Sequence, residues 1–297
     1  MRIDPKEIPM PQLHGYLLGG IAPRPIAFAS TIDADGNVNL SPFSYFNVFS
    51  AAPPILIFSP ARSGRNNTTK HSHDNVKEVP EVVINVVNYA MVEQMSLSST
   101  AYPKGVNEFT KSGFTPVASE MVKPPRVKES PMQMECEVRE VIELGDTGGA
   151  GNLIVCEIKL IHLSEDILDE NGKIDPTKLD PVGRMGGNYY VRAHGNALFE
   201  VTKPITTLGI GVDQIPEDIK NSSILTGNDL GKLGNVESLP DETEVNDYKL
   251  VELSDLFVEL EDDAKQLEEE LHKMAHDLLE QGKVEDAWKT LLSFNNQ

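Results

Sequence analysis

The sequence predicts a mainly β domain with flanking helices, followed by an α-helical C-terminal extension. Three observations carry that expectation. A period-2 run turns at an Asp-Gly step and comes back on itself, several later apolar runs are too short for helices, and heptad-spaced apolar residues are confined to the last stretch of the chain.

Residues 1–20 read as a lead-in, because Pro5, Pro9 and Pro11 discourage regular structure ahead of Leu17-Leu-Gly-Gly20. From Arg24 to Asn47 the sequence is RPIAFASTIDADGNVNLSPFSYFN. Ile26, Phe28, Ser30 and Ile32 alternate with Ala27, Ala29 and Thr31, Asp33–Gly36 supplies the turn, and Asn37–Leu40 returns as the partner strand. Ser41, Ser44 and Asn47 then stand among Pro42, Phe43, Tyr45 and Phe46, which reads as a nearly uncharged polar-aromatic loop suited to a planar, partly polar ring. Pro54–Phe58, apolar on both faces, predicts a central third strand.

Between Ser59 and Ser72 the run SPARSGRNNTTKHS sets Arg62, Arg65 and Lys70 among hydroxyls and amides in an otherwise acidic chain. With a helix beginning near Ser72 and running from His73 to Glu78, these groups and the first helical amides suit a phosphate; a solvated polar loop is the other reading. Val82–Val87 is a fourth strand, interrupted by Asn85, whose amide needs partners if buried. Residues 89–112 read as two helical pieces around a loop at Ser98–Pro103. Met132–Leu144 and Asn152–Leu163 form a second hairpin around Gly148–Gly151, a flexible turn and not a phosphate loop, since no helix follows it. Cys136 and Cys156 lie in these apolar runs and read as reduced, buried thiols.

Leu253, Phe257, Leu260, Ala264, Leu267, Leu271, Met274 and Leu278 follow a heptad pattern, Gly282 ends it, and Val284–Phe294 reads as a short second helix carrying the lone Trp288. A helical hairpin within one subunit and helix pairing across a dimer both fit. His272 and His276 have metal-compatible spacing but no evident third ligand, and read as a surface pair; His71 and His73 likewise lack companions, so no metal site is expected. The formal charge of −20 over 297 residues, concentrated in the tail, argues against a nucleic-acid surface. No apolar run is long enough to span a membrane and MRIDPKEIPM has no signal-peptide character, so a cytoplasmic location is expected. No nucleophile elbow, Walker A motif or paired-acid signature is present, which leaves the chemistry to a cofactor.

The segments R-P-x-A-x-x-S-T, the D-x-x-G turn, S-P-F-S-x-F-N and P-P-I-L-I-F-S at Pro53–Ser59 resemble the flavin reductase-like family of FMN-binding split β-barrels, which includes flavoredoxin. Pro181–Tyr190 resembles its late motif of an arginine and a glycine pair before a tyrosine, whereas His71 stands where the family usually has an aspartate. The resemblance implies a split-barrel domain over residues 1–205 and an extension over 206–297. It implies FMN, with Arg62, Arg65, Lys70 and Ser72 on the phosphate and Ser59 nearby. Ser30, Thr31, Ser44, Tyr45, Phe46 and Asn47 would surround the ring, with Asn85 and Arg184 as further contacts. It also implies NAD(P)H as reductant, a homodimer, and an acceptor that is a small molecule or a protein. The competing reading is an FMN-binding interaction or electron-carrier protein whose acidic tail docks a partner.

Overall fold

The alternation at Ile26–Ile32 forms the hairpin it predicts. β1 (Ala27–Ile32) and β2 (Val38–Phe43) pair antiparallel from Ile32 opposite Val38 to Ala27 opposite Phe43. Gly36 turns between them at φ +84°, a conformation open to glycine without a Cβ clash. β3 (Phe46–Ala51), β4 (Pro54–Phe58) and β5 (Glu81–Val86) follow, then the short pair β6 (Pro116–Val117) and β7 (Arg126–Val127) and the long hairpin β8 (Met132–Glu143) and β9 (Asn152–Leu163). Seven strands make one antiparallel sheet in the order β2-β1-β5-β8-β9-β4-β3 in this computed structural model, which describes residues 1–294.

The connection between the two edges dictates the shape of that sheet. Six spacings of about 4.8 Å would put the edges of a flat seven-stranded sheet about 29 Å apart. β2 and β3 are those edges, yet only Ser44 and Tyr45 separate them, and three Cα steps reach at most about 11 Å. The sheet is therefore rolled into a barrel left split between β2 and β3. The expected polar-aromatic loop shrinks to two residues, because Ser41–Phe43 extend β2 and Phe46–Asn47 begin β3; Phe43 and Phe58 hold the ends together with ring centroids 5.5 Å apart.

Alternation sorts β1 onto two cores. Ala27 and Ala29 join Phe58, Ile84, Ile154 and Val76, the last from α2 (His71–Glu78), whereas Ile26 and Phe28 join Leu40, Met91, Met95 and Phe109 on the other face. Leu40 comes from β2, and Met91, Met95 and Phe109 come from the helical region read at 89–112, which holds α3 (Val92–Leu97) and α4 (Glu108–Ser112). Cys136 and Cys156 are free and buried, and burial pushes the Cys136 thiol up to about 12, so it stays protonated. One expectation fails at the start of the chain: residues 10–20 form a helix, α1 (Met10–Gly20). Pro11 lies in its first turn, where the absent N–H breaks no helical bond.

The chain divides into two units, Met1–Phe199 and Glu200–Gln297. α5 (Pro176–Leu179), β10 (Val182–Arg184) and β11 (Tyr190–Arg192) complete the first. The second contains α6 (Glu217–Lys220), α7 (Gly227–Leu233), α8 (Glu242–Tyr248), α9 (Ser254–Glu259), α10 (Ala264–Glu280) and α11 (Val284–Leu292), and it carries 23 acidic against 8 basic residues. The heptad seam is not one helix. It breaks at residues 260–263, where Asp263 caps α10 by accepting the Gln266 N–H at 3.0 Å. Its apolar positions serve packing within this unit, with Leu267 and Leu271 against Leu253. No helix among the described residues is long and apolar enough to cross a membrane.

His272 and His276 are not a surface pair. His272 is buried with Nδ1 2.8 Å from Ser222 Oγ, and His276 Nδ1 lies 2.9 Å from Asp229 Oδ2. Asp229 is fully buried and forms a capping box with Thr226 at the start of α7. The Asp229 hydrogen bond raises His276 above its ordinary 6.5, against slight desolvation, and Glu280 and Asp277 add to the rise. The stabilisation from a raised histidine is fully present below 6.5 and fades as pH climbs through the folded value. Urea unfolding of the wild type and His276→Gln across that window should therefore show a wild-type advantage that shrinks with rising pH. An advantage that grows would overturn the linkage.

Candidate binding site at the barrel seam

The seam between β2 and β3 opens into a cleft of about 250 Å³. Ser41, Pro42 and Phe43 from the end of β2, the Ser44-Tyr45 link, Ser59 after β4, Lys70 at the start of α2, and His14 and Leu18 of α1 line it. The position follows from the topology: the residues that bridge the split also wall the space it leaves. Ser59 is fixed from both sides, its N–H donating to Tyr45 O at 2.8 Å and its Oγ accepting the Asn152 N–H at 3.0 Å, which leaves its hydroxyl proton for an acceptor. Lys70 caps α2 without a side-chain acceptor for the first helical amides. No carboxylate pairs with Lys70 among the described residues, so a positive charge and the partial positive charge of a helix start meet at one wall.

The predicted site residues separate into those the cleft gathers and those it does not. Ser44, Tyr45, Ser59 and Lys70 line it. Phe46 and Asn47 begin β3 just beyond the link. Ser72 is buried at the start of α2, with Oγ accepting the Asn39 amide at 2.8 Å. Arg62 turns away, donating from Nε and Nη2 to the Oδ1 and carbonyl of Asn67 at 2.8 and 2.7 Å; it braces a loop that Asn67 in turn ties to Asp146 O. Arg65 is exposed in that loop. Gly148 and Gly149 let the β8–β9 turn lie against it: a Cβ on Gly148 would come 3.0 Å from Ser63 O, and Gly149 has φ +90°. The glycine turn is therefore pinned and not a free flap, with Arg62 N–H on Ala150 O at 2.8 Å.

Ser30, Thr31 and Asn85 are buried within the sheet. Ser30 and Thr31 are both fully buried and point to opposite faces of β1. Thr31 Oγ1 accepts the Asn75 amide at 3.1 Å, and Ser30 Oγ has no partner among the described residues. Asn85 is spent on backbone, donating to Phe28 O and accepting from Val127 N–H, both at 2.9 Å, which ties β1, β5 and β7 together. Arg184 stacks on Tyr190 in a second cleft.

Arg24 is a site residue the pattern reading passed over. It is 6% exposed, its guanidinium donates to Leu18 O and Ile21 O at the end of α1 and to Met185 O, and its Nε is 3.4 Å from Ser44 Oγ. It thereby fixes α1 against the cleft. Burial lowers its pKa; nearby Tyr45 opposes this and Arg184 adds to it. Its sequence signals are a place at a strand entrance and the head of the R-P-x-A-x-x-S-T segment, and neither distinguishes a buried clamp from a surface arginine.

A rolled, split antiparallel sheet with a cleft at the seam defines the structural class. Residues 19–181 match the family model described as the flavin reductase like domain, and the chain belongs to that family. It is 39% identical over 196 residues to a protein of Aquifex aeolicus, covering 66% of this chain and 97% of that one. Nitrilotriacetate monooxygenase component B from Bacillus cereus is similar in structure with a TM-score of 0.62 and 29% identity, over 68% of this chain and 98% of that one. Flavoredoxin of Desulfovibrio vulgaris shares the fold with a TM-score of 0.53 at 22% identity, over 69% of this chain and 98% of that one. The family match ends before the unit that begins at Glu200.

Proposed function

We propose that the chain is an FMN-binding oxidoreductase that works as a homodimer with NAD(P)H as reductant. The observation that carries this is the seam cleft, where an uncompensated lysine, an uncapped helix start and the Ser41, Ser44 and Ser59 hydroxyls adjoin the Phe43 and Tyr45 rings. That donor set fits a phosphorylated, partly aromatic ligand. Lys70, the first amides of α2 and Ser59 would hold the phosphate, and Ser44 and Tyr45 would meet the ring system. Bound FMN would supply two-electron chemistry, reduced by NAD(P)H and reoxidised by an acceptor. The chain's own work is positioning: Arg24 holds α1 over the cleft, and Leu18 and Phe43 present apolar surface that displaces water. At about 250 Å³ the cleft is smaller than the roughly 300–1,000 Å³ of a complete small-molecule site. A second copy covering the exposed Val48 and Phe49 of β3 would complete it.

The test is direct. Purified protein titrated with FMN should quench flavin fluorescence, and the bound flavin should bleach on adding NADH or NADPH. Lys70→Met removes a charge-assisted hydrogen bond of about 1.5–3 kcal/mol, so FMN affinity should fall roughly 10–100-fold. No FMN binding by the wild type would sink the proposal.

The acidic unit Glu200–Gln297, with its own core and outside the family match, favours a second reading in which this unit docks a protein acceptor. Removing it should then slow electron transfer to that acceptor while FMN binding stays constant.

A further inference from the structure

A second cleft, of about 350 Å³, lies among Tyr89, Ser96, Arg184, Asn188, Tyr190 and Arg192; the resemblance implied a flavin contact for Arg184, but the FMN assignment proposed above draws on none of these residues. Two guanidinium-on-tyrosine stacks form its walls: Arg192 lies 3.9 Å from the Tyr89 centroid and Arg184 4.6 Å from the Tyr190 centroid. Each ring keeps much of its surface in solvent, Tyr89 at 50% and Tyr190 at 38% exposure. A flat ring entering the cleft therefore meets aromatic faces already held in place by cations.

The two arginines differ in charge balance. Arg192 is neutralised by Asp180, with Nε and Nη2 each 2.7 Å from a carboxylate oxygen. Arg184 has no carboxylate partner among the described residues; of its five N–H donors, Nη1 serves Tyr189 O at 2.9 Å. It also stands beside a second arginine without a carboxylate, since Arg24 and Arg184 exchange backbone hydrogen bonds of 3.0 and 2.8 Å. Two adjacent guanidinium groups supported only by carbonyls, a hydroxyl and a ring repel one another and favour an anion from solvent. Glu93 also lines the cleft, but it is exposed and screened by water.

We propose that this cleft binds a small aromatic acid, with the ring between Tyr89 and Tyr190 and the carboxylate on Arg184. The volume lies at the low end of the roughly 300–1,000 Å³ typical of ligand sites, so a one- or two-ring molecule fits and a complete dinucleotide does not. The cleft stands on its own geometry; only the further step, that such an acid is the electron acceptor, rests on the proposed function.

The probe is 2-naphthoate, titrated by calorimetry against the full chain, with 2-naphthalenemethanol as its uncharged counterpart. Arg184→Met should weaken naphthoate binding at least about tenfold, as loss of a bidentate guanidinium–carboxylate contact requires. Binding of the alcohol should be unchanged in the same variant, and Arg184→Lys should restore part of the naphthoate affinity. No naphthoate binding by the wild type, equal loss of both probes in Arg184→Met, or competitive displacement of naphthoate by NADH would each overturn the assignment. FMN titrations on the same preparations keep the two proposals apart, because naphthoate binding without FMN binding sinks the flavin reading alone, and the reverse sinks this one alone.

Discussion

Trp288→Ala is expected to unfold the C-terminal unit while leaving the barrel and its seam cleft intact. Trp288 is 1% exposed, packs among Ile219, Leu233, Ala275, Leu279 and Leu291, and donates from Nε1 to Leu233 O at 3.1 Å. Truncating a buried tryptophan costs about 3–5 kcal/mol, against a total of about 5–15 kcal/mol for a typical domain. The indole is central here because no sheet is present among the described residues of this unit: its helices are held mainly by apolar contacts, and Trp288 of α11 packs in one cluster with Ala275 and Leu279 of α10, Leu233 of α7 and Ile219 of α6. Trp288 is the only tryptophan in the chain, so its fluorescence follows this unit alone in the wild type. In the variant, far-ultraviolet circular dichroism during urea unfolding should show the helical transition moved to much lower urea. A single transition at the wild-type midpoint would refute the two-unit description.

Much of this architecture is legible because period and turn chemistry agree. Ile26–Ile32 and the paired runs at 132–144 and 152–163 form strands with nearly the expected bounds and Asp33–Gly36 turns as expected, since alternation and burial demand the same conformation there. Other features depend on information no local pattern holds. That Ser44-Tyr45 joins the two edges of one sheet is a property of strand order, and it moves Ser41–Phe43 and Phe46–Asn47 from loop to strand. The Asp263 cap divides a heptad pattern that looked continuous, because a local side-chain acceptor outweighs the register of the seam. In the candidate site, the Ser44, Tyr45, Ser59 and Lys70 group was readable from its composition. Arg62 was not, because the same composition does not distinguish an arginine facing a ligand from one bracing Asn67. Ser30 and Thr31 are adjacent in one motif, yet adjacent residues of a strand face opposite ways and cannot both meet one ligand face.

Glu135→Ala is the other substitution with a large expected effect, and it acts on the barrel unit. Glu135 lies in β8 and is fully buried, yet its carboxylate accepts N–H groups from Glu120 (2.9 Å), Met121 (2.6 Å) and Val122 (3.2 Å), and lies 2.7 Å from His162 Nε2. Arg126 Nε stands 3.7 Å away. One carboxylate thus holds the crossing segment at 120–122 to the sheet. Burial pushes its pKa up, but the backbone donors and His162 together outweigh that and hold it below its ordinary 4.5. Removing it takes the shared acceptor from those three backbone donors and from the His162 and Arg126 side chains; Glu120 and Met121 are exposed, so water replaces part of the lost bonding and the cost is about 1.5–3 kcal/mol. A depressed carboxylate contributes stability that is present above 4.5 and is lost as pH falls through the lower folded value. Wild-type stability should therefore drop on acidification through that range, and Glu135→Gln, which keeps the shape but not the charge, should lose part of that drop. Hydrogen exchange at residues 120–122 separates this from a general loss of packing: those amides should become the fastest-exchanging of the barrel unit in both variants. If they stay as protected as in the wild type, the carboxylate is not what holds them.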